Sequence, residues 1–554
     1  MVRIKSASRL QTGLLVFSLA FLFVIVVCPM FALFSKAFHA NDGTFIGLAN
    51  FVEYFSSPHL VRSLKNSLVI STAVAAVATV LAFIYAYALT RALVPAKKLL
   101  RFTAVLPLFA PTMMYGIALV YLIGNKGIIT MMGLKLPLYG PLGIFISEVF
   151  YTFPQAFLIL SITLAYCDNR LYEAARVMGT SAWRVFRTVT LPGAKFGIVS
   201  AFLVAFTLCF TDFGAPKVVG GNYSVLATDI YKQVVGQQNF GMGAVVGLLL
   251  MIPALVMFAA DRFISSANDA TVSSRSVSYR IIENKFRDRA LTVFCVVINL
   301  FIFMLLGAGF FAAFIKAWPY NLSFTLEHFL VDSPATGGLS SFGNSIIVAL
   351  ISAVVGTAFV FVNAWLIEKT RGHALLRRAD YLLSIIPLAL PGLSIGIAFI
   401  FFFTANGNPF GFLYGTMWIM VLANMVHFYS VPFVTATSAL KKLDREIEAV
   451  SESMSVPLWR TFCCVTLPMC SEALCETAVY IFVNSMVTIS AVVFLYPADF
   501  KLASVAIVNM EDAGDIAPAS ALSVLVILVN VAARLGYEFI SSRRKAKARA
   551  VAEA

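Results

Sequence analysis

Residues 67–89 read SLVISTAVAAVATVLAFIYAYAL. This run carries no charge, no proline and no glycine, and polar and apolar positions do not alternate. About 20 apolar residues of helix cross a hydrocarbon core roughly 30 Å thick. Backbone in that core must satisfy its own hydrogen bonds, so such a run spans as a helix. A barrel strand would be shorter and would alternate. The composition of the whole chain agrees. Of 554 residues, 60% are hydrophobic and 12% charged, and the mean hydropathy is +0.88. Soluble domains carry about 25% charge, so a soluble enzyme, a disordered chain and a fibrous repeat are excluded. The fold class is all-α: a polytopic membrane protein with about twelve transmembrane helices.

The first six runs lie at Leu14–Phe34, Ser67–Leu89, Phe102–Ile123, Leu142–Tyr166, Phe196–Phe213 and Gly243–Ala260. Six more lie at Ala290–Ile315, Ser345–Ile367, Tyr381–Phe403, Leu413–Thr435, Ala473–Phe494 and Ala519–Leu535. Arg3, Lys5 and Arg9 precede the first run, which is longer than the core of a signal peptide and reads as a retained helix. Lys and Arg fall unequally: 32 in one set of alternate loops and at both termini, 9 elsewhere. Cytoplasmic loops collect these residues, so both termini and the segment joining the halves are expected in the cytoplasm. The net charge of +14 is spread over many short loops; it marks orientation in a bilayer and predicts no nucleic-acid partner. The eight cysteines form no CxxC pair and sit mostly in or beside apolar runs, where they read as small packing residues.

The chain is duplicated. Asn66-Ser67 recurs as Asn344-Ser345, and Pro107-Leu108, Pro111 and Gly116-Ile117-Ala118 recur as Pro387-Leu388, Pro391 and Gly396-Ile397-Ala398. Tyr151 and Pro154 return as Tyr429 and Pro432; Trp183-Arg184 and Leu191-Pro192 return as Trp459-Arg460 and Leu467-Pro468. The order is kept throughout, and the spacing between copies drifts only through loops. The division is a first repeat over 1–265, a cytoplasmic linker over 266–289 and a second repeat over 290–554. An even number of helices per repeat makes the repeats parallel, related by an axis along the membrane normal.

One loop carries the most specific pattern. Between the fourth and fifth runs, 168–192, stand Asp168, Glu173-Ala174-Ala175, Gly179 and Leu191-Pro192. Asp168 suits an N-cap, Glu173 the first turns of a helix, and Gly179 a left-handed C-terminus. Thr180 then stands where it can cap a second short helix. Ala174 and Ala175 give a thin face for close approach by another protein. The equivalent loop, 444–468, is degenerate: Ala449 stands where Glu173 does, Ser455 replaces Gly179, and Glu448 comes one position early.

The loop resembles the EAA loop of binding-protein-dependent ABC importer permeases. The chain as a whole resembles fused double permeases of the ferric-iron and 2-aminoethylphosphonate kinds. The resemblance implies docking on a cytoplasmic ABC ATPase, in two copies, through Asp168, Glu173, Ala174, Ala175 and Gly179 and through Glu448, Ala449 and Ser455. It also implies an extracytoplasmic solute-binding protein, a small-molecule substrate and a place in the bacterial inner membrane. ATP and Mg would belong to the ATPase; this chain has no GxxxxGK[ST] phosphate loop and no cofactor motif. Residues 210–217 (FTDFGAPK), 484–495 and 509–515 (NMEDAGD) look most like the 2-aminoethylphosphonate group. A phosphonate is therefore the expected cargo and ferric iron the alternative. A gradient-driven secondary transporter is the rival class, and it would need no EAA-type loop.

Ionisable residues at membrane depth are costly and often functional. Asp212, Asn484 and Thr488 are candidates for the translocation path, with Pro111 and Pro391 as kinks that line it. Glu148 and His427 read as packing or interhelical hydrogen-bonding residues, and Asn424 also lies in a span. Glu472 and Glu476 read as a solvated face near a helix start.

Overall fold

Apolar length makes the helices, and proline decides where several of them begin. The computed structural model describes residues 2–269, 279–333, 336–370, 373–444 and 446–553. Among these, nine helices are long and apolar enough to cross a membrane, or twelve when three bent pairs each count as one span. In the first repeat they are α1 (Leu10–Ala37), α2 (Pro58–Arg91), α3 (Thr112–Met131), α4 (Pro141–Ala165), α5 (Ala182–Thr211) and α6 (Phe240–Phe263). In the second they are α7 (Lys285–Phe314), α8 (Leu339–Lys369), α9 (Ala374–Ala389 with Gly392–Phe403), α10 (Met417–His427 with Ser430–Lys441), α11 (Trp459–Met469 with Ser471–Val487) and α12 (Ile516–Arg544). The only strands among the described residues are short, chiefly the antiparallel pair Ile315–Ala317 and Asn321–Phe324.

Two of the apolar runs are broken within their length. Phe102–Ile123 is not one helix. Lys97–Val105 is followed by a 3₁₀ turn at Leu106–Phe109, and α3 begins only at Thr112. The second repeat copies this, and there the two parts of α9 meet at 114°. The cause is proline chemistry. A residue before proline is pushed out of the helical region; Ala110 and Leu390 take ψ of 140° and 121°. Pro111 and Pro391 then sit at the N-caps of the new helices, which need no N–H from them. The feature is a break rather than a kink. Helices run to Asp269 and from Lys285, and residues 270–278, within the segment expected as the linker, lie outside the described ones.

The duplicated Asn-Ser pair has the same task twice. Asn66 Nδ2 donates to the Ser224 carbonyl at 3.0 Å, and Ser67 Oγ accepts from Leu226 N at 2.8 Å. Asn344 Nδ2 donates to the Lys501 carbonyl at 3.1 Å, and Ser345 Oγ accepts from Ala503 N at 2.7 Å. Each pair ties the start of its repeat's second helix to a short helix that follows the fifth. The repeats also exchange their first helices. α7 packs on α3 of the first repeat, and the C-terminal part of α1, Cys28–Ala37, packs on Gly392–Phe403 of the second. Asn299 of α7 donates to Tyr85 Oη of α2 at 2.7 Å.

Both loops lie at one end of the bundle. Ser520, near the start of α12, bonds Gly309, near the end of α7, so α12 ends where α7 begins. Ser541 of α12 reaches Glu472 beside the second loop, and Tyr279, just before α7, packs on the first.

Candidate functional site: two loop helices at one end of the bundle

The first loop folds as its residues dictate. Asp168 caps the helix Asn169–Val177 by accepting from Arg170 N at 3.0 Å. Gly179 ends it with φ +65°. Thr180 N donates back to the Ala175 carbonyl at 3.0 Å and Gly179 N to that of Arg176 at 2.9 Å, closing the last turn. No separate second short helix forms: α5 itself starts at Ala182 and is capped by Ser181 rather than Thr180, with Ser181 Oγ accepting from Arg184 N at 3.4 Å.

Exposure corrects the Ala-Ala face. Glu173 and Ala174 are exposed, with Glu173 accepting from Asn169 Nδ2 at 2.6 Å. Ala175 is buried, 4% exposed, so it packs inward. The face turned to solvent is larger and more apolar than the triplet suggested: Val177 is 90% exposed, Met178 74% and Trp183 71%. Loop two presents the same types at the same register, with Met454 at 71% and Trp459 at 63%. Each Met and each Trp of the first loop thus has its counterpart at the equivalent place of the second. The tryptophan pair stands in the sequence as a mark of duplication; the methionine pair, at the same spacing, is a signal that sequence reasoning missed.

The second loop keeps the backbone and changes the anchor. Its helix is Glu446–Ser453, with Ala449 in the middle. Ser455 takes φ +55° where Gly179 takes +65°, and Val456 N donates to the Ser451 carbonyl at 3.0 Å as Thr180 does to Ala175. The turn survives without its glycine. Glu448 does not face outward as a docking residue would. It stands at the position of Tyr172, and both point into the protein. Tyr172 donates to Thr190 Oγ1 at 3.1 Å under the Arg91 guanidinium; burial pushes its phenol above the ordinary value. Glu448 pairs with Lys369, 3.1 Å away, and Lys369 ends α8 as Arg91 ends α2. Lys369 also donates to the Leu443 carbonyl at 3.2 Å. Each loop helix is thus held by a cation at the end of its repeat's second helix.

Two of the path candidates, Asp212 and Thr488, stand at the ends of helices that begin beside the loops. Asp212 follows the last residue of α5 and accepts from Ala215 N at 3.0 Å. The buried Glu148 carboxyl faces Asp212 and the Cys209 thiol. Thr488, the equivalent of Asp212, ends the second helix of α11, and Asn484 bonds the Tyr480 carbonyl within it at 2.8 Å. Pro111 and Pro391 are buried in the helix breaks. A further contact joins the repeats: Lys217 Nζ meets Asp512 at 2.5 Å, and the rings of Tyr231 and Phe494 lie 6.2 Å apart.

The family model for the inner membrane component of binding-protein-dependent transport systems matches the chain twice, at residues 78–268 and 362–546. The chain belongs to this family. It is a fused double permease of the ABC importer type, a multi-pass protein of the inner membrane. Among its relatives is a ferric transport system permease protein of Actinobacillus pleuropneumoniae, 26% identical over 555 residues, or 97% of this chain and 79% of that one. A putative ferric transport system permease protein of Haemophilus influenzae is 26% identical over 87% of this chain and 77% of its own length. A putative 2-aminoethylphosphonate transport system permease protein of Salmonella paratyphi A is 26% identical over 158 residues, 28% of this permease and 58% of that protein.

Proposed function

We propose that this permease carries ferric iron, delivered by an extracytoplasmic solute-binding protein and driven by two copies of a separate ATPase. The order of the two cargoes is reversed from the sequence reading. Likeness along nearly the whole chain to ferric permeases supports iron, whereas the likeness to a phosphonate permease covers 28% of the chain. The ATPase docks on the two loop helices. The observation that carries this is the matched pair of exposed side chains, Met178 with Trp183 and Met454 with Trp459, at one end of the bundle. Exposed apolar groups on a polar rim mark a protein interface. Glu173, Ala174 and Gly179 belong to the first docking face and Ser455 to the second; the side chain of Ala449 lies outside the described ones. Ala175 and Glu448 support those faces from inside. Docking puts the loops, both termini and the linker in the cytoplasm, in accord with the distribution of Lys and Arg.

In this reading ATP binding draws the ATPases together, the loops follow, and the two bundles tilt between inward-open and outward-open states. ATP and loaded binding protein shift the populations of those states. The test has two parts. Met178→Glu with Trp183→Glu, or Met454→Glu with Trp459→Glu, is expected to strip the ATPase from the purified chain; full co-purification with all four replaced removes the docking assignment. Proteoliposomes holding the permease, its ATPase and the binding protein are expected to take up labelled ferric iron on adding ATP with no ion gradient. Uptake of 2-aminoethylphosphonate instead reverses the cargo assignment.

A further inference from the structure

The chain joining the repeats returns to the first loop helix. Tyr279 packs edge-on against Tyr172, with ring centroids 4.8 Å apart at 75°. The Arg91 guanidinium faces both rings, 4.0 Å from the centroid of Tyr279 and 5.1 Å from that of Tyr172. Arg91 is fully buried and donates to the Leu164 carbonyl at the end of α4 at 2.7 Å. One residue on, Arg280 N donates to Asn169 Oδ1 at 3.3 Å, and the amide of Asn169 holds Glu173. The other end of this stretch is fixed as firmly. Asn284 caps α7, accepting from Arg287 N at 3.0 Å, and the Arg287 guanidinium donates to the Ile282 carbonyl at 2.6 Å. Residues 279–284 are therefore pinned to the first loop helix at one end and to the second repeat's leading helix at the other.

The second loop has a different anchor. Lys369 and Glu448, both largely buried, make an ion pair there. The two loops are equivalent in backbone and unlike in what holds them.

We propose that residues 279–284 form a strap that positions the first loop helix for its ATPase, with Arg91, Tyr172 and Tyr279 as its positioning residues. The proposal rests on the docking reading above. The strap exists because the two permeases are one chain: α7 belongs to the second repeat but packs on the first, and its displacement reaches Asn169 and Tyr172 through this short stretch. The docking geometry of the first loop then follows the second repeat as well as its own. That of the second loop follows α8 through Lys369.

A photo-crosslinking residue in place of Val177 or of Met454, in the full chain expressed with its ATPase, reads each loop separately. Both positions are strongly exposed. Tyr279→Ala removes the ring over Arg91, and Arg91→Lys keeps the charge but loses the planar face that stacks. A cation–π contact to a half-buried ring such as Tyr279 corresponds to roughly a tenfold change in occupancy. Either variant is expected to lower the cross-link yield at position 177 about tenfold relative to position 454. Tyr279→Phe, which keeps the ring, is expected to leave both unchanged. Glu448→Gln is expected to act the other way, lowering the yield at 454 and sparing 177. Unchanged yield at 177, or equal loss at both positions, overturns the strap. Absence of cross-linking at both positions in the unaltered chain defeats the docking reading itself, and the strap with it.

Discussion

Ser455 holds a backbone angle that glycine adopts freely and other residues adopt at a cost. Its φ of +55° matches the +65° of Gly179, and the same closing hydrogen bond follows each. The left-handed region costs a residue with a Cβ roughly 1–2 kcal/mol. Nothing lies within 4 Å of a Cβ added at Gly179, so Gly179→Ser carries the backbone cost alone. Hydrogen exchange is expected to show the first loop helix less protected in Gly179→Ser and the second more protected in Ser455→Gly, each by about 1 kcal/mol. Equal protection before and after both changes would show that contacts elsewhere set the two turns. The turn was legible in the sequence at Gly179 and illegible at Ser455, because serine signals no positive φ. Glu448 shows a further limit. A charge one place away from an expected charge looked like a shifted docking residue. Its partner Lys369 lies 79 residues away, and only the folded chain brings the two together.

The Asn-Ser pair was visible as a repeat but not as a clamp, since its partners stand 157 to 159 residues downstream. Elements assemble through such pairs. The serines at 67 and 345 are buried, so losing either hydroxyl leaves a buried N–H without an acceptor at a cost of about 1–3 kcal/mol. Ser67→Ala and Ser345→Ala are each expected to lower the thermal midpoint in detergent, and to do so additively because the sites lie in different repeats. A change at one serine only would mean that one clamp is idle. Packing between elements is also duplicated with its parts exchanged. Gly214 leaves room for Thr112, since a Cβ there would collide with Thr112 Oγ1. In the second repeat the glycine is Gly392, and the hydroxyl that its Cβ would strike belongs to Ser490. Thr112 aligns with Gly392 and Gly214 with Ser490, so one small residue and one hydroxyl fill each junction from opposite sides. The sequence showed the apolar runs and their number. It did not show the breaks at Ala110 and Leu390, because proline in a membrane helix can kink it or end it, and the choice depends on what packs beside it.

At the scale of the molecule, two bundles held by exchanged first helices move as a unit only if their far ends close when the loops are apart. One contact available for this is Lys217 with Asp512, which joins the repeats away from the loops. Glu511 is beside it: burial raises its carboxyl above the ordinary value, Lys217 lowers it and Asp512 raises it further. Lys217 also lies 5.5 Å over the Tyr231 ring, so the cation is shared between a carboxylate and an aromatic face. The pair is part-exposed, and such pairs contribute about 1 kcal/mol or less. A bias of that size in a two-state bundle shifts the populations about fivefold. Lys217→Asp or Asp512→Lys is therefore expected to raise ATP hydrolysis by the assembled transporter several-fold in the absence of binding protein, because the outer end no longer favours closure. The double variant Lys217→Asp with Asp512→Lys restores the attraction and is expected to return hydrolysis to its resting rate. High salt should mimic the single variants weakly in the unaltered protein, since it screens the pair. If the double variant stays as fast as either single one, the two residues do not act through each other, and the closure must be carried by the aromatic contact between Tyr231 and Phe494 beneath them.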